Sequence, residues 1–490
     1  MRRFSWIAFV LPLLVFLSII AWHSGAVPAA AQSAQPARLA PVSKTSTSSS
    51  VAAAAPTVAP AGTEFYVAQR GDSIPAVAHR LLPQTSYLTS SELSDAIHQA
   101  NSNLHGVFLR AGQQIIVPGV LPAPIAEKTI AVPRDFEVRA IYLTGLMAGS
   151  DHGLRIIRHW REVGGNAVVF DIKDSDGSVN IPFENPLIGS HHTPIRDLPK
   201  FVHFLHEQNM HAIARVAIFR DEKLVLAHPE LAVKSRRTGQ PWRENGKLVW
   251  TDPSQPKVQA YDIALAKRAA EAGVDEVQFD YVRFPAEGDQ KDASFLFQKE
   301  HPDWQRSDVI VSFLKTAYGE LHPTGVLLSL DVFGVMAWQR QVDLSHTGQD
   351  IPRMAKYCDV LSPMIYPSHF FGMDGIAHPG DAPEHFIGES MDRFEKITQG
   401  SGVVIRPWLQ AFGWRTKTYS PQYIETQVLT AKNKGGIGFL FWNANNDYSK
   451  PYTAMPEMRA AKGKYFRGDE LTGEVRAAAA TQRAKIALLK

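Results

Sequence analysis

Two aspartates stand where a bond-breaking pair can be built. Asp280 closes the run Glu276-Val277-Gln278-Phe279-Asp280, and Asp331 closes Val326-Leu327-Leu328-Ser329-Leu330-Asp331. If the two runs are neighbouring strands, their carboxyl groups flank a single bond. Hydrolysis of a glycosidic bond needs such a pair, one acid to protonate the leaving oxygen and one to attack carbon or activate water. Separations of roughly 5–5.5 Å give retention and roughly 6.5–9.5 Å inversion, and the sequence is compatible with both. Asp280 is read as nucleophile or base and Asp331 as the acid. An acid needs a raised pKa, which burial or an ionised Asp280 nearby supplies.

Other polar groups gather at the ends of similar apolar runs. Arg215 and Arg283 are placed to keep Asp280 ionised, while Tyr366, His369, Trp408 and Gln410 suit a sugar's rings and hydroxyls. Asp171, Lys173, Asp221, Trp442 and Asn443 complete the expected binding set, and Tyr281 and Trp414 add rings, Tyr281 turning toward the helices. No HExxH, Walker A, Rossmann or GxSxG signature is present, and no convincing His/Asp ligand set supports a metal-dependent deacetylase. No metal and no cofactor are therefore expected. Lys and Arg number 51 against 48 Asp and Glu, a formal charge of +3, which gives no electrostatic reason to expect nucleic acid. The single cysteine, Cys358, excludes an intramolecular disulfide, a Cys-based zinc site and an iron–sulfur cluster.

The elements that must position these groups are legible as an alternation. Apolar strands read Val138–Leu143, Ala167–Ile172, Ala212–Phe219, Glu276–Val282, Val326–Phe333, Val360–Tyr366, Val403–Phe412 and Ile437–Trp442. Helical periodicity covers Leu154–Val163, Leu198–Gln208, Pro256–Ala272, Val309–Leu321, Ile351–Tyr357, Glu384–Ile397 and Gln422–Lys434. Eight such alternations over residues 134–458 predict an α/β fold, a (β/α)8 TIM barrel. Barrel enzymes work at the C-terminal ends of their strands, where these polar residues lie.

Strand parity tests whether they can converge, because alternate side chains face the barrel interior and the helix layer. Gln278 with Asp280, Ser329 with Asp331, and Arg406 with Trp408 and Gln410 each share a row. Asp171 and Lys173 are expected on one row too, with Arg215 inward among the carboxylates. Plainer roles stand beside these. Asp280 can be half of an ion pair with Arg215 or Arg283, and Asp331 can bond loop amides. Asp174, Asp176 and Gly177 suit a turn, Asp252 suits a cap for the helix near Pro256, and His191-His192 suits a solvated loop.

Upstream, residues 1–31 carry Arg2-Arg3, an apolar run from Trp6 to Trp22 and an Ala29-Ala30-Ala31 exit, the pattern of an export signal or an uncleaved N-terminal membrane anchor. The chain is thus expected in a periplasm, at the cell envelope or outside the cell. Residues 32–62 are Ala/Pro/Ser/Thr-rich and read as linker, and 119–133 as a second one. Between them, residues 64–118 show a β-α-α-β order with Gly71-Asp72-Ser73, Ala100-Asn101 and Gly112-Gln113…Pro118. That module resembles LysM, which implies binding of peptidoglycan or another N-acetylglucosamine polymer; a unit that only folds or mediates contacts is the plainer alternative. The tail, 459–490, is rich in Ala and Lys, with no assigned role.

The barrel carries a resemblance of its own. Phe170-Asp171-Ile172-Lys173-Asp174, Arg215–Asp221, Trp250-Thr251-Asp252-Pro253, Glu276–Pro285 and Asp331-Val332-Phe333-Gly334 are similar to a bacterial family described as glycosyl hydrolase domains. Ser362–His369, Arg406–Gln410 and Phe441-Trp442-Asn443-Ala444 continue the match in unbroken order from about Arg134 to Tyr452. The resemblance implies a glycosidase-like barrel acting on a polysaccharide. The alternative is a non-catalytic carbohydrate-binding envelope protein whose barrel keeps a groove without turnover.

Overall fold

The computed structural model describes residues 61–463, 465–466 and 471–472. The export segment expected over 1–31, nearly all of the 32–62 linker and the tail beyond those last pairs lie outside the described residues.

The chain opens with a small α+β module. Thr63–Val67 pairs antiparallel with Gln114–Pro118, and helices Ile74–Leu81 and Ser90–Ala100 lie between them. Ser73 and Thr89 cap the two helices with their hydroxyl oxygens, as N-cap residues satisfy otherwise unpaired N–H groups. Asn101 then ties the second helix to the sheet: its amide donates to the Ile97 and Ile116 carbonyls at 2.7 and 2.8 Å and accepts from the Ile116 N–H at 2.8 Å. Ile74, Val77, Leu93, Ile97 and Val117 form its core. The module is docked on the barrel through Lys200 Nζ to the Leu82 carbonyl (3.0 Å) and Arg158 to Glu92 (2.6 Å). Residues 119–133, expected as linker, are stapled too, since Thr129 donates to the Ala270 carbonyl at 2.7 Å and Glu127 meets His203 and His206.

Eight parallel strands follow and close on themselves. They are Val138–Leu143, Ala167–Lys173, His211–Ala217, Glu276–Asp280, Leu327–Phe333, Val360–Ile365, Val404–Ile405 with Trp408–Gln410, and Gly438–Trp442. Each pairs with its neighbours in order, the first with the eighth and the fifth with the sixth. This is the (β/α)8 barrel expected. The seventh strand is split at Pro407, which lacks the N–H a ladder needs. The crossover between strands five and six is built from short pieces, the helix Gln341–Thr347 and the turn Ile351–Met354 extended by Ala355–Tyr357.

Parity sorts the strand residues into two cores. Ile141, Phe170, Ala214, Phe279, Leu330, Leu361, Leu409 and Phe441 face the helices. Val138, Ala140, Tyr142, Val169, Ile213, Trp408 and Leu440 fill the interior. Its floor is ionic: the Arg406 guanidinium lies 2.9 Å from Glu276, and His211 Nε2 lies 3.0 Å from the same carboxylate. Burial alone would raise Glu276, yet Arg406 and His211 hold it down at about 2. Removing one partner of such a buried set leaves an uncompensated charge. Glu276→Ala is therefore expected to destabilise the chain by about 3–5 kcal/mol in denaturant unfolding; a loss below about 1 kcal/mol would contradict the role given to the floor.

Candidate active site

At the opposite end of the interior, neighbouring strands bring their polar ends into register. Asp171 pairs with Arg215 across strands two and three, and Ala217 with Asp280 across strands three and four. The Arg215 guanidinium donates from Nη1 to Asp171 and from Nη2 to Asp280, while its Nε lies 3.8 Å from Asp331 Oδ2. It also sits over the Tyr142 ring, 5.6 Å from its centroid, and the Tyr142 hydroxyl donates to Asp171. One cation thus serves three carboxyl groups. Asp171 is fully buried and Asp331 2% exposed, whereas Asp280 is 7% exposed, so the cluster opens over Asp280.

The electrostatics follow from that stoichiometry. Burial first, and the neighbouring Asp280 carboxylate second, push Asp331 well above its ordinary value despite Arg215 and a hydrogen bond from Trp408 Nε1 at 2.6 Å. Burial also raises Asp171, against the pull of Arg215. The Asp280 oxygens are taken by Arg215 and by the Tyr281 N–H at 2.5 Å. Tyr281 achieves that donation with φ of 55°, a left-handed conformation costing a non-glycine residue roughly 1 kcal/mol or more. The strain sits directly after the most open acid.

Around the mouth, Tyr366 contacts Trp442 and Phe412 at ring separations of 6.0 and 5.7 Å, and His369 at 5.4 Å. Tyr366 and Trp408 are buried, Trp442 is half-buried and His369 reaches solvent. The structure therefore gathers Asp171, Arg215, Asp280, Asp331, Tyr366 and Trp408, with His369 and Trp442 on the rim. Among the described residues, no group of three or more His, Cys, Asp or Glu is arranged to hold a metal ion.

Five expected binding residues lie elsewhere. Lys173 leaves the Asp171 row because the strand register shifts between them, a bulge that turns the next side chain to the other face. Its ammonium is buried against Asp221 and Asp262, each at 2.9 Å, the latter on the helix Pro256–Glu271. Asp221 is used twice over, since it also caps the helix Glu222–Ala227 through the Leu224 N–H at 2.7 Å. Arg283 forms no ion pair with Asp280; it lies over Phe333 and Trp250, 4.3 and 4.7 Å from their centroids, and donates to the Phe284 carbonyl. Gln410 and Asn443 spend their amides on loops, Gln410 bonding Ser368, Phe412 and Thr416, and Asn443 bonding the Ala411 carbonyl at 2.6 Å.

Asp252 does not cap the helix Pro256–Glu271 either. Its carboxylate accepts from Ser254 and, at 2.6 Å, from the Leu296 N–H. The turn over Asp174–Ser178 is present, with Asp176 accepting from the Ser178 N–H. Tyr142 is the site residue that motif reading missed. Its signal was parity: it follows Val138 and Ala140 on the inward row, next to last in the first strand.

A closed (β/α)8 barrel with acids at the ends of adjacent strands is the architecture of a glycosyl hydrolase-like domain. The chain belongs to the family described as "Putative glycosyl hydrolase domain", whose model matches residues 140–448. Among solved structures it is similar to a hypothetical protein from Ruminiclostridium thermocellum ATCC 27405, at 38% identity and a TM-score of 0.35, over 39% of this chain and 97% of that one. It is also similar to the PgaB (BpsB) glycoside hydrolase domain from Bordetella bronchiseptica, at 14% identity and a TM-score of 0.49, over 66% and 97%. The spore cortex-lytic enzyme SleL of Bacillus megaterium QM B1551 matches at 12% identity and a TM-score of 0.39, over 84% and 87%. No curated protein matches the sequence.

A raised folded-state pKa has a definite consequence for stability. The favourable proton on Asp331 is present at low pH and its benefit is lost as pH rises through the raised value, so at neutral pH the group costs stability. Asp331→Asn should therefore stabilise the fold by about 1 kcal/mol or more at pH 7, with the gain shrinking toward pH 4. Thermal unfolding of both proteins across that range checks the sign.

Proposed function

We propose that this protein is a glycoside hydrolase that cleaves a cell-envelope or extracellular polysaccharide. The observation that carries the reading is the single Arg215 guanidinium shared by Asp280 and Asp331 on adjacent strands. Asp331, held protonated by burial and by its neighbour, is the acid that protonates the leaving oxygen. Asp280, the more open group, attacks carbon on the opposite side. Adjacent parallel strands lie about 4.8 Å apart, which for groups in register favours the narrow spacing of a retaining pair over that of an inverting one. Water then releases the sugar from Asp280, with Asp331 acting as base.

The export signal read in residues 1–31 supports work in a periplasm, at the envelope or outside the cell. The module over residues 64–118 is read as LysM-like, holding the barrel to peptidoglycan or another N-acetylglucosamine polymer. One observation favours the second reading, a carbohydrate-binding barrel without turnover: Asp331 is nearly closed off from solvent.

Digestion of peptidoglycan, chitin, α-glucans and exopolysaccharides, followed by mass spectrometry, separates the two. Asp280→Asn and Asp331→Asn should each lower hydrolysis at least about a hundredfold; full activity in either variant would refute the assignment, and no cleavage by wild type would favour binding alone. Trp408→Phe removes a hydrogen bond to the charged form of Asp331, so its pKa rises further and the alkaline limb of the rate profile should move to higher pH. Insoluble peptidoglycan should retain the intact chain and release a chain beginning at Leu121; equal retention of both would remove the module from wall binding.

A further inference from the structure

We propose that the loops after strands six and seven form a binding subsite for a carboxylated sugar, with Arg415 as its anion-recognising group. The inference rests on the glycosidase reading only in taking the barrel mouth as a saccharide site.

Arg415 is exposed, and its guanidinium lies over two rings, 4.5 Å from the centroid of Trp414 and 5.1 Å from that of Phe371. Both rings are large hydrophobics left open to solvent, at 40% and 50% exposure. A guanidinium that lies over aromatic rings and spends no N–H on the protein has those N–H groups available, and their fork matches a carboxylate. No carboxylate takes it among the described residues. The two acids on these loops are engaged elsewhere: Asp381 accepts from Lys417 N, Thr418 N and Thr418 Oγ1, and Asp374 lies 2.9 Å from His385.

The arrangement is built rather than loose. Arg415 holds φ of 49°, a left-handed conformation that a non-glycine residue keeps only where its surroundings enforce it. The enforcement is visible: Asp381 pins Lys417 and Thr418, two and three residues on, Gln410 donates to Thr416 Oγ1 at 2.9 Å, and a Cβ on Gly380 would come within 2.2 Å of the Arg415 carbonyl oxygen. The subsite is also continuous with the acids. Trp414 stands 5.2 Å from His369, His369 5.4 Å from Tyr366, and Tyr366 lies in the field of Asp331 and Asp280. Rings of this kind stack on the apolar faces of a sugar, and an unpaired cation beside them selects a sugar that carries a carboxylate over a neutral one.

The test is equilibrium binding by calorimetry, using the full chain carrying Asp280→Asn so that nothing is turned over, repeated by pull-down with wild type. The probes are peptide-free glycan strands bearing N-acetylmuramic acid and uronate-containing oligosaccharides, each paired with its carboxyl-reduced form. At least one carboxylated probe should bind about tenfold tighter than its reduced partner. Arg415→Gln should abolish that preference while leaving the reduced form within about twofold, and Trp414→Ala should weaken both forms. Equal affinity for the paired forms, no binding of either, or a preference that survives Arg415→Gln would overturn the inference. Hydrolysis of neutral glycans without any such preference would sink it and spare the glycosidase reading; an Arg415-dependent preference without hydrolysis of any substrate would do the reverse.

Discussion

Arg215 is the group on which the mouth of this barrel depends. Three carboxyl groups converge there from strands two, four and five, in a space where each is nearly or wholly buried. Without a cation between them, mutual repulsion and desolvation would make the arrangement untenable. With one, they are held but not neutralised. The guanidinium reaches Asp171 and Asp280 directly and Asp331 only at 3.8 Å, and burial lifts both Asp171 and Asp331 against it, so one cation leaves more than one of the three acids short of compensation.

Comparison with the barrel's other buried ion sets isolates what matters. On the floor, Glu276 faces both Arg406 and His211 and is held at about 2, although it is as buried as any residue in the protein. In the outer layer, Lys173 is shared by Asp221 and Asp262, and burial carries Asp262 up to about 6 against that lysine. At the mouth one arginine faces three acids and Asp331 rises well above its ordinary value. Burial is common to all three. The ratio of cations to carboxyl groups, not depth, decides which acid keeps its proton, and only the mouth combines an uncompensated acid with an opening.

The barrel was legible in the sequence because its signals are periodic. Strand alternation repeats eight times and recurs in the two cores: Gln278 and Asp280 inward, Val277 and Phe279 outward. Arg215 among the carboxylates followed from the same parity. Failures came from single-residue events and distant partners. One shift of register after Asp171 sends Lys173 to the helix layer, and no composition marks such a bulge. Arg283 reads as a partner for Asp280 until the loop bearing Trp250 and the end of strand five close around it as an aromatic cage. Gln410 and Asn443 carry hydrogen-bonding groups that suit a sugar equally well, but irregular loops have unpaired backbone groups of their own, and these claim the amides first.

In the proposed reaction the mouth divides its work between groups that bind and groups that react. The rings of Tyr366 and Trp442 present surfaces that do not change as a bond breaks, so whatever they contribute acts on bound substrate and transition state alike. In the proposed reaction only Asp331 and Asp280 change charge, and only interactions with them can be stronger in the transition state than before it. Arg215 and Trp408 touch those carboxyls directly, and both favour the ionised form. Each therefore opposes the proton on the acid in the resting state and stabilises the carboxylate once that proton has moved to the leaving oxygen. A hydrogen bond that lowers an acid's pKa and an environment that raises it are in tension, and the net upward shift of Asp331 means that burial and Asp280 prevail in the resting site. In the proposed reaction that tension lets a single buried carboxyl be protonated at rest and yet have waiting donors for the charge it would acquire.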